Sequence, residues 1–300
     1  MSEFQEILES LGYHLKEAGQ YWRAKPLYRH SNNDSVLVIN KENGVYFDHK
    51  LKQGGSFEQL VSLTNGDLTS EQLDNIRSQI LKSETRLRRD KVYKFSPSVL
   101  SKLKPDHSFY SMQGISEKTL ACFKGGVAQN SDLRNRYVFP IIQGKHIIGF
   151  SGKDTTYKSK IKWIHMGNTS SWQFPLFINE KFIIESKEVI LVESIGNILR
   201  LWDNGIKNAI CCFGTKVGKG VFQLLIKYNI KKIIIAFDND LPDQNGIRAG
   251  LLGANKAKKK LDNFFDTGVV SIRLPEQEGK DIFDLSNNEV KKRYGKFNSI

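Results

Sequence analysis

The C-terminal half of the sequence predicts an α/β fold, with a parallel sheet covered by helices on both faces. Between residues 189 and 273, apolar runs of strand length alternate with segments of helical spacing. Glu193, the pair Gly214-Thr215 and Asp238 each follow one of the strand runs. Alternating strands and helices pair in parallel, and functional groups in such sheets gather at the carboxyl ends of the strands. The sequence therefore predicts one site at that edge.

The predicted elements of this half follow in order. The strands are 189–192, 209–213, 232–237 and 269–273, and the helices are 197–204, 221–228 and 246–262. The run Ile233 to Phe237 is apolar throughout, which is typical of a strand buried on both faces.

The N-terminal half predicts a small β-rich module followed by an α+β unit. In the module, helical spacing covers 2–12, 56–64 and 69–83, and strands are predicted at 36–40 and 44–48. In the α+β unit, a helix is predicted at 117–123 and strands at 137–142 and 146–151. We expect five segments: module 1–85, linker 86–95, α+β unit 96–185, α/β domain 186–290 and tail 291–300.

The net charge, the apolar runs and the number of cysteines limit the classes of protein to which the chain can belong. Lys and Arg outnumber Asp and Glu by 45 to 32, a formal net charge of +13, which favours a polyanionic partner such as nucleic acid. A lysine-rich protein without such a partner is equally compatible with the charge alone. The sequence has no apolar run of the roughly 20 residues that span a bilayer, no signal-peptide pattern and only three cysteines. We expect a cytoplasmic protein.

Two carboxylates stand two residues apart after the buried strand, in Asp238-Asn239-Asp240. Glu193 follows a neighbouring strand, so these oxygen ligands are expected at one edge of the sheet. Hard oxygen ligands of this kind suit Mg²⁺, which is bound by a few carboxylates together with substrate phosphates. A lone Asp-x-Asp is more often a solvated turn, and the second acidic strand end strengthens the prediction.

The arrangement resembles the Toprim family. The resemblance is carried by Val192-Glu193-Ser194, Phe213-Gly214-Thr215, Phe237-Asp238-Asn239-Asp240 and Lys280-Asp281. It implies Mg²⁺ or Mn²⁺ on Glu193, Asp238, Asp240 and Asp281, with the first three catalytic.

The segments upstream of this domain resemble bacterial and phage DNA primases. They are Met112 to Leu120, Asn135 to Ile141, Ile148 to Lys153, Lys162 to Ile164 and Pro175 to Phe177. The resemblance implies a nucleotide and nucleic-acid site that uses Asn135, Arg136, Lys153, Lys162, Gly214 and Thr215. The pattern differs at Ser194, where the family has Gly, and at Asn197 and Phe283, where it has acids.

The N-terminal module resembles the zinc-binding template reader of those primases without its ligands. Lys25 and Tyr28 fall where Cys and His stand in the family, Asp48 falls near a third ligand, and the first 121 residues contain no cysteine. We therefore expect no zinc, because a structural zinc site needs four N or S ligands. We expect the module to contact single-stranded template through Trp22, Arg23, Lys25, Tyr28 and Arg29, or to retain an aromatic surface that only fills the place of the metal.

The interpretation is a DNA primase that synthesises short RNA primers on single-stranded DNA from ribonucleoside triphosphates. The segment from Gly214 to Gly220 is similar to the phosphate-binding loop of ATPases but is one residue short, so we do not expect ATPase activity. Because a helicase needs such a loop, we expect any helicase partner to be a separate chain. This architecture suggests a phage or mobile-element origin, and a phage-encoded chain is expected in the cytoplasm of a bacterial host cell. Two alternatives stay open: a Toprim nuclease, and an inactive primase-like protein that binds single-stranded DNA.

Overall fold

The computed structural model describes residues 2–51, 53–85 and 94–295, with side chains only to residue 80 in the second range. The predicted linker 86–95 lies outside these residues except for Lys94 and Phe95. The chain forms two compact units, residues 1–89 with 258–271, and residues 90–257 with 272–300. Among the described residues, no helix has the length and apolar character needed to cross a membrane.

The first unit is a five-stranded antiparallel meander with helices. Its strands are β1 (Lys16–Ala18), β2 (Tyr21–Ala24), β3 (Leu37–Asn40), β4 (Tyr46–Asp48) and β5 (Gln53–Gly55), and its helices are α1 (Glu3–Ser10), α2 (Phe57–Leu63) and α3 (Ser70–Thr85). Strand β2 alternates strictly, with Tyr21 and Arg23 exposed and Trp22 and Ala24 buried. The sheet therefore has one core face and one open face.

The second unit begins with an antiparallel sheet in the order β10-β9-β8-β7-β6. Its strands are β6 (Leu103–Lys104), β7 (Gly126–Ala128), β8 (Arg136–Gln143), β9 (His146–Asp154) and β10 (Trp163–Met166), with the short helices α4 (Ser108–Ser111) and α5 (Glu117–Cys122). The hairpin β8–β9 is its longest pairing and carries Arg136 opposite Asp154. The predicted strands 137–142 and 146–151 are confirmed as this hairpin, in which β8 is one residue longer at each end and β9 is three residues longer at its C-terminal end.

The sheet that carries the candidate site is four-stranded, in the order β12-β11-β13-β14, and β11 pairs in parallel with both β12 and β13. Its strands are β11 (Glu188–Val192), β12 (Ala209–Cys211), β13 (Lys232–Ile235) and β14 (Val270–Ile272); the helices are α6 (Leu176–Ser186), α7 (Ile195–Asp203), α8 (Lys219–Lys227), α9 (Ala249–Leu261) and α10 (Asn287–Tyr294). The predicted α/β class is confirmed. Helix α6 was not predicted.

These strands and helices enclose an apolar core. Residues 189–192 and 233–237 are almost completely buried, as expected for central parallel strands. Helix α7 starts at Ser194, whose side chain accepts the N–H of Asn197, and it buries Ile195, Ile198 and Leu199. The N-terminus of α7 is therefore fixed directly beside Glu193.

An ion pair holds the first unit together at the position where the sequence suggested missing metal ligands. Asp48 is completely buried at the end of β4. The Nε and Nη2 atoms of Arg29 donate to its two carboxylate oxygens at 2.7 and 2.8 Å, and the Tyr28 hydroxyl donates at 2.8 Å. Burial opposes ionisation of Asp48, but the hydrogen bonds from Arg29 and Tyr28 outweigh it and hold the pKa of this carboxyl well below its ordinary value. This clamp joins the segment after β2 to β4.

We expect Asp48→Asn to destabilise the first unit by on the order of 3 kcal/mol, because it removes one partner of a buried, bidentate pair. The folded-state pKa of Asp48 is depressed, so the contribution is complete at neutral pH and disappears as the pH falls through that depressed value. Urea denaturation at pH 7 and at pH 3 measures both effects. Asp34→Asn, which removes the exposed pair with Lys16, is the control and should change little. Equal stability of the two variants at pH 7 would contradict the claim that the hydrogen bonds of Asp48 stabilise the first unit.

Candidate active site

The ends of β11 and β13 bring two carboxylates together. Glu193 directly follows β11, and Asp238 follows the buried run that contains β13. The backbone N–H of Asp238 donates to Oε1 of Glu193 at 3.0 Å. The N–H of Gly214, after β12, donates to the backbone carbonyl of Glu193 at 2.9 Å. Three adjacent strand ends therefore converge on Glu193.

A cavity of about 480 Å³ opens over these strand ends. Its acidic side contains Glu193, Asp238, Asp281 and Asp284. Lys153 and Lys162 also line it. The remaining lining residues include Phe109, Ser151, Tyr157, Trp163, His165, Phe213, Gly214 and Phe283. One cavity thus contains both acidic groups and cations, as an anionic substrate bound with a divalent cation requires.

Burial and mutual repulsion set the electrostatics of the two central carboxylates. Burial raises the pKa of Glu193 to about 7, and Asp240 and Asp281 add to this effect through their charges, while the hydrogen bond from Asp238 opposes it. Burial, together with the charges of Glu193 and Asp281, raises the pKa of Asp238 to about 8, against a hydrogen bond from Asn197. The cluster is therefore poor in compensating positive charge.

The third acidic residue belongs to a short 3-10 turn, Ile282–Asp284. Asp281 begins this turn, and its Oδ1 accepts the N–H of Asp284 at 3.0 Å. Burial raises the pKa of Asp281, as does the neighbouring charge of Asp284. Lys153 acts in the opposite direction, which places a cation near this carboxylate.

Helix α7 positions two of the acidic segments through a side-chain clamp. Asn197 is completely buried; its Nδ2 donates to Oδ1 of Asp238 at 2.9 Å, and its Oδ1 accepts the N–H of Phe283 at 3.2 Å. Arg200, one turn later, donates from Nε to the Phe283 carbonyl at 3.1 Å, and its guanidinium lies 5.2 Å from the centre of the Phe283 ring. Two of the three departures from the family pattern, Asn197 and Phe283, therefore contact each other.

The same helix holds the upstream motif that contains Gln113. Nη2 of Arg200 donates to the Gln113 carbonyl at 2.9 Å. The hydroxyl of Thr119 donates to Oδ1 of Asp203 at 2.7 Å, and Ser116 contacts the same oxygen. The motif from Met112 to Leu120 thus docks on α7, which gives it a structural role beside the cavity.

Asp240 does not line the cavity. Its Oδ2 accepts the N–H of Gly250 at 2.8 Å at the beginning of α9. A Cβ atom at Gly250 would lie 2.0 Å from the Asp238 carbonyl oxygen and 3.0 Å from Oε1 of Glu193. Glycine therefore allows α9 to approach the strand ends, and Asp240 fixes that approach. Its predicted role as a metal ligand stays a prediction.

The donor set suits a divalent cation of the Mg²⁺ type. Among the residues that the structure describes, no three or more His, Cys, Asp or Glu side chains are already grouped as a metal site. The cavity nevertheless has carboxylates from Glu193, Asp238 and Asp281, and burial raises the pKa of all three. Hard oxygen ligands and space for water and phosphate oxygens are what Mg²⁺ prefers.

The structure separates the predicted nucleotide-binding residues. Lys153, Lys162 and Gly214 line the cavity. Burial lowers the pKa of Lys153, and the charge of Lys162 lowers it further. Thr215 packs beside α9. A Cβ atom added to Gly253 of this helix would lie 2.3 Å from the Cβ atom of Thr215.

Arg136 and Asn135 lie outside the cavity lining. Arg136 is 7% exposed, and its Nη2 donates to Ser159 Oγ at 3.1 Å and to the Ile161 carbonyl at 3.0 Å. Its Nη1 donates to the Lys162 carbonyl at 3.2 Å. Arg136 therefore positions the loop that carries Lys162, instead of presenting its guanidinium to phosphates. Asn135 is exposed and has a φ of 61° at the turn before β8.

The predicted template-contact residues lie in the first unit and differ in exposure. Trp22 is 3% exposed, and its Nε1 donates to Glu17 at 3.0 Å, so its ring offers no face to a base in this structure. Arg23 and Lys25 are exposed. Tyr28 and Arg29 belong to the Asp48 clamp.

The sequence did not predict a functional role for two residues of the cavity lining, Trp163 and His165. Trp163 and His165 lie on β10 opposite Lys153 and Ser151 of β9, so that these four side chains share one face of the sheet. Trp163 and His165 are two residues apart, a spacing that places both side chains on one face of a strand. This spacing was the sign in the sequence that they could share a site. The hairpin register, which cannot be deduced from that spacing, decides that this face borders the cavity.

Comparison with known proteins places these features in a family context. Residues 187–271 match the Toprim domain model. A DNA primase from Borreliella burgdorferi is 30% identical over 145 residues, which are 45% of this chain and 27% of that protein. A DNA primase from Aquifex aeolicus is 28% identical over 143 residues, 46% of this chain and 28% of that protein. The chain thus spans little more than a quarter of these relatives.

Other similarities cover more of the chain. An uncharacterised protein from Mycoplasma genitalium is 25% identical over 183 residues, 60% of this chain and 80% of that protein. The crystal structure of the Aquifex aeolicus primase, with zinc-binding and RNA polymerase domains, covers 98% of this chain and 83% of its own, with a TM-score of 0.51 and 19% identity. A DnaG primase catalytic domain bound to single-stranded DNA covers 74% and 78%, with a TM-score of 0.52 and 17% identity. These structural likenesses establish the fold.

We expect the metal-free protein to lose stability as the pH rises from about 5.5 to 8.5. The folded-state pKa values of Glu193 and Asp238, about 7 and about 8, lie above their ordinary values, so the folded protein binds more protons than the unfolded chain across this range. Each group then contributes a slope of roughly 1 kcal/mol per pH unit. Saturating Mg²⁺ should reduce the slope, because the cation replaces the protons.

Urea denaturation over this pH range, with and without Mg²⁺, measures the effect. Asp238→Asn should remove a large part of the slope in the metal-free protein. Stability that rises with pH in the metal-free wild type, or a slope unchanged in the variant, would show that these carboxyls are not held in the protonated form.

Proposed function

We propose that this chain, which contains a Toprim domain and is related in sequence to bacterial DNA primases, synthesises short RNA primers on single-stranded DNA by Mg²⁺-dependent nucleotidyl transfer. The observation that carries the proposal is the composition of the cavity. Glu193, Asp238 and Asp281 share it with Lys153 and Lys162. Carboxylates that need a cation, beside lysines that suit phosphates, match the requirements of phosphoryl transfer.

The reaction forms a bond between the 3′-hydroxyl oxygen of the primer and the α-phosphorus of a ribonucleoside triphosphate. The bond from that phosphorus to the oxygen bridging it to the β-phosphate breaks, and pyrophosphate leaves. A bound Mg²⁺ supplies neutralisation of the negative charge that develops on the phosphate oxygens. Asp238, with Asp281 and Asp240, holds the cation in this proposal. Glu193 either orients the cation or accepts the proton of the attacking hydroxyl.

The remaining residues position the substrate. Lys153 and Lys162 contact the triphosphate, and Arg136 supports this contact by fixing the loop that carries Lys162. Asn197 fixes the Asp238 carboxylate relative to the segment after Asp281. Much of the catalysis of phosphoryl transfer is positioning, so these contacts are part of the mechanism.

The open face of the N-terminal sheet is the proposed template contact. Arg23, Val38 and Phe47 are aligned across β2, β3 and β4. Tyr21 is 36% exposed and Phe47 40% exposed, and both border a groove of about 250 Å³ that Phe264 also lines. Exposed aromatic rings beside cations suit single-stranded nucleic acid. In this proposal the module works without zinc, and the helicase is a separate chain.

Incubation with single-stranded DNA, labelled ribonucleotides and Mg²⁺, followed by product sizing, tests the function. Discrete short RNA products are expected. Shortened DNA in the absence of ribonucleotides would identify the nuclease alternative, and DNA binding with neither product would identify the inactive one.

We expect Asp238→Asn and Asp240→Asn to lower primer synthesis by on the order of 10²-fold or more, because each removes a charge from the proposed cation site while preserving shape. Asp281→Asn should be milder, since its motif already differs at Phe283. Binding of single-stranded DNA should be nearly unchanged in all three. Asp132→Asn, at an exposed aspartate outside the cavity lining, is the matched control. If Asp240→Asn synthesised primers at the wild-type rate across a Mg²⁺ titration, Asp240 would not be part of the cation site.

We expect Phe47→Ala to weaken binding of single-stranded DNA by roughly 5- to 100-fold, the range for loss of one stacking platform. Arg23→Gln should instead reduce the slope of log affinity against log salt by about 1. Fluorescence anisotropy over a salt titration measures both. Leu63→Ala, at an exposed apolar residue on α2, is the control. Affinities that are unchanged in both sheet variants would place the template elsewhere.

A further inference from the structure

One side of the cavity is aromatic, and neither cation binding nor phosphate binding explains it. We call the side chains of Phe109, Tyr157, Trp163 and His165 the aromatic wall; all four line the cavity. The rings of Trp163 and His165 are parallel to within 14°. Tyr157 is 79% exposed, and its ring centre lies 5.9 Å from that of Phe109. Aromatic area that stays accessible in this way is available to a planar ligand.

The aromatic wall lies next to Lys153. Lys153 faces Trp163 across the β9–β10 pairing, and its Nζ lies 5.3 Å from the centre of the Trp163 ring. The charge of Asp281 acts on the same lysine. Lys153 is therefore close to the aromatic wall and within the electrostatic influence of an acidic residue of the cavity.

A second line of contacts connects the aromatic wall to the strand ends. Nδ1 of His165 lies 3.1 Å from the hydroxyl of Ser151. The His165 ring packs edge-on against Phe213, with ring centres 5.5 Å apart. Phe213 precedes Gly214, whose N–H donates to the backbone carbonyl of Glu193. The aromatic wall is thus tied to the strand ends that carry the carboxylates.

A nucleoside triphosphate has chemical groups that match these three kinds of side chain in one cavity. Its phosphates carry the cation, the sugar follows, and the planar base is at the other end. Bases stack on exposed aromatic side chains, and a cavity of about 480 Å³ is within the range of small-molecule sites. A site for inorganic phosphate alone would have no need of four aromatic rings.

We propose that the aromatic wall is the subsite for the nucleobase of the incoming nucleotide, with Trp163 as its principal stacking surface. This inference rests on the proposed function and deepens it, because it assigns the part of the substrate that the carboxylates and lysines do not contact. Stacking depends on ring area and not on the hydrogen-bonding edge of the base. The subsite therefore accepts all four bases, and purines bind more tightly than pyrimidines.

Calorimetric binding of Mg²⁺-ATP and of inorganic Mg²⁺-tripolyphosphate to the full chain tests the subsite. Trp163→Ala should weaken ATP binding by on the order of 10-fold, the loss expected for one stacking contact, and change tripolyphosphate binding by less than about twofold. Trp163→Phe should retain most of the ATP affinity. Trp163→Leu keeps apolar bulk without a ring face and should behave like Trp163→Ala. Lys162→Ala should weaken both ligands and so serves as the control for the phosphate site.

The outcomes separate this inference from the proposed function. Selective loss of ATP affinity in Trp163→Ala and Trp163→Leu, with thermal unfolding like that of the wild type, supports the subsite even if no primers are made. Equal losses for ATP and tripolyphosphate, or no loss for ATP, overturn it. Primer synthesis in which Trp163→Leu leaves the KM for ribonucleotides unchanged would also overturn it and leave the proposed function intact.

Discussion

The candidate site depends on one constraint: two carboxylates are held together at the buried ends of adjacent parallel strands. Glu193 accepts the N–H of Asp238 at 3.0 Å, so the side chain of one strand end is bonded to the backbone of the other. Burial and mutual repulsion make the charged form of this pair costly. In the proposed function a divalent cation offsets that cost. The surrounding residues keep the two carboxylates close together. Gly250 allows α9 to cover the strand ends, and Asn197 holds the Asp238 carboxylate.

The positions that differ from the primase pattern form a connected set. Asn197 accepts the N–H of Phe283, and Arg200 donates to its carbonyl. Two expected acids are therefore replaced by an amide and by a ring that packs on a guanidinium. The replacement reduces negative charge while it keeps the Asp281 segment attached to α7. In the N-terminal unit, the Arg29–Asp48–Tyr28 clamp joins the segment after β2 to β4, at the position where the sequence resemblance implied missing metal ligands.

The sequence was sufficient to predict the parallel sheet and the acids at its edge, because long buried runs of Ile and Val are distinctive and strand ends in such sheets converge. It was insufficient for side-chain direction. Arg136 and Trp22 carry the residue types of phosphate and base contacts, but their positions in the strands turn them inward. Asp240 bonds to Gly250, ten residues later, and no local pattern reveals this. The aromatic side of the cavity depends on hairpin register, a tertiary property.

Anomalous diffraction from crystals soaked with Mn²⁺ tests the central claim most directly, because it locates the cation without relying on activity. The account predicts a peak within about 2.3 Å of carboxylate oxygens of Asp238 and of a second acid of the cluster, at the distances of hard cations on oxygen ligands. A Mn²⁺ peak elsewhere on the chain, with Glu193 and Asp238 still bonded only to protein atoms, would contradict it.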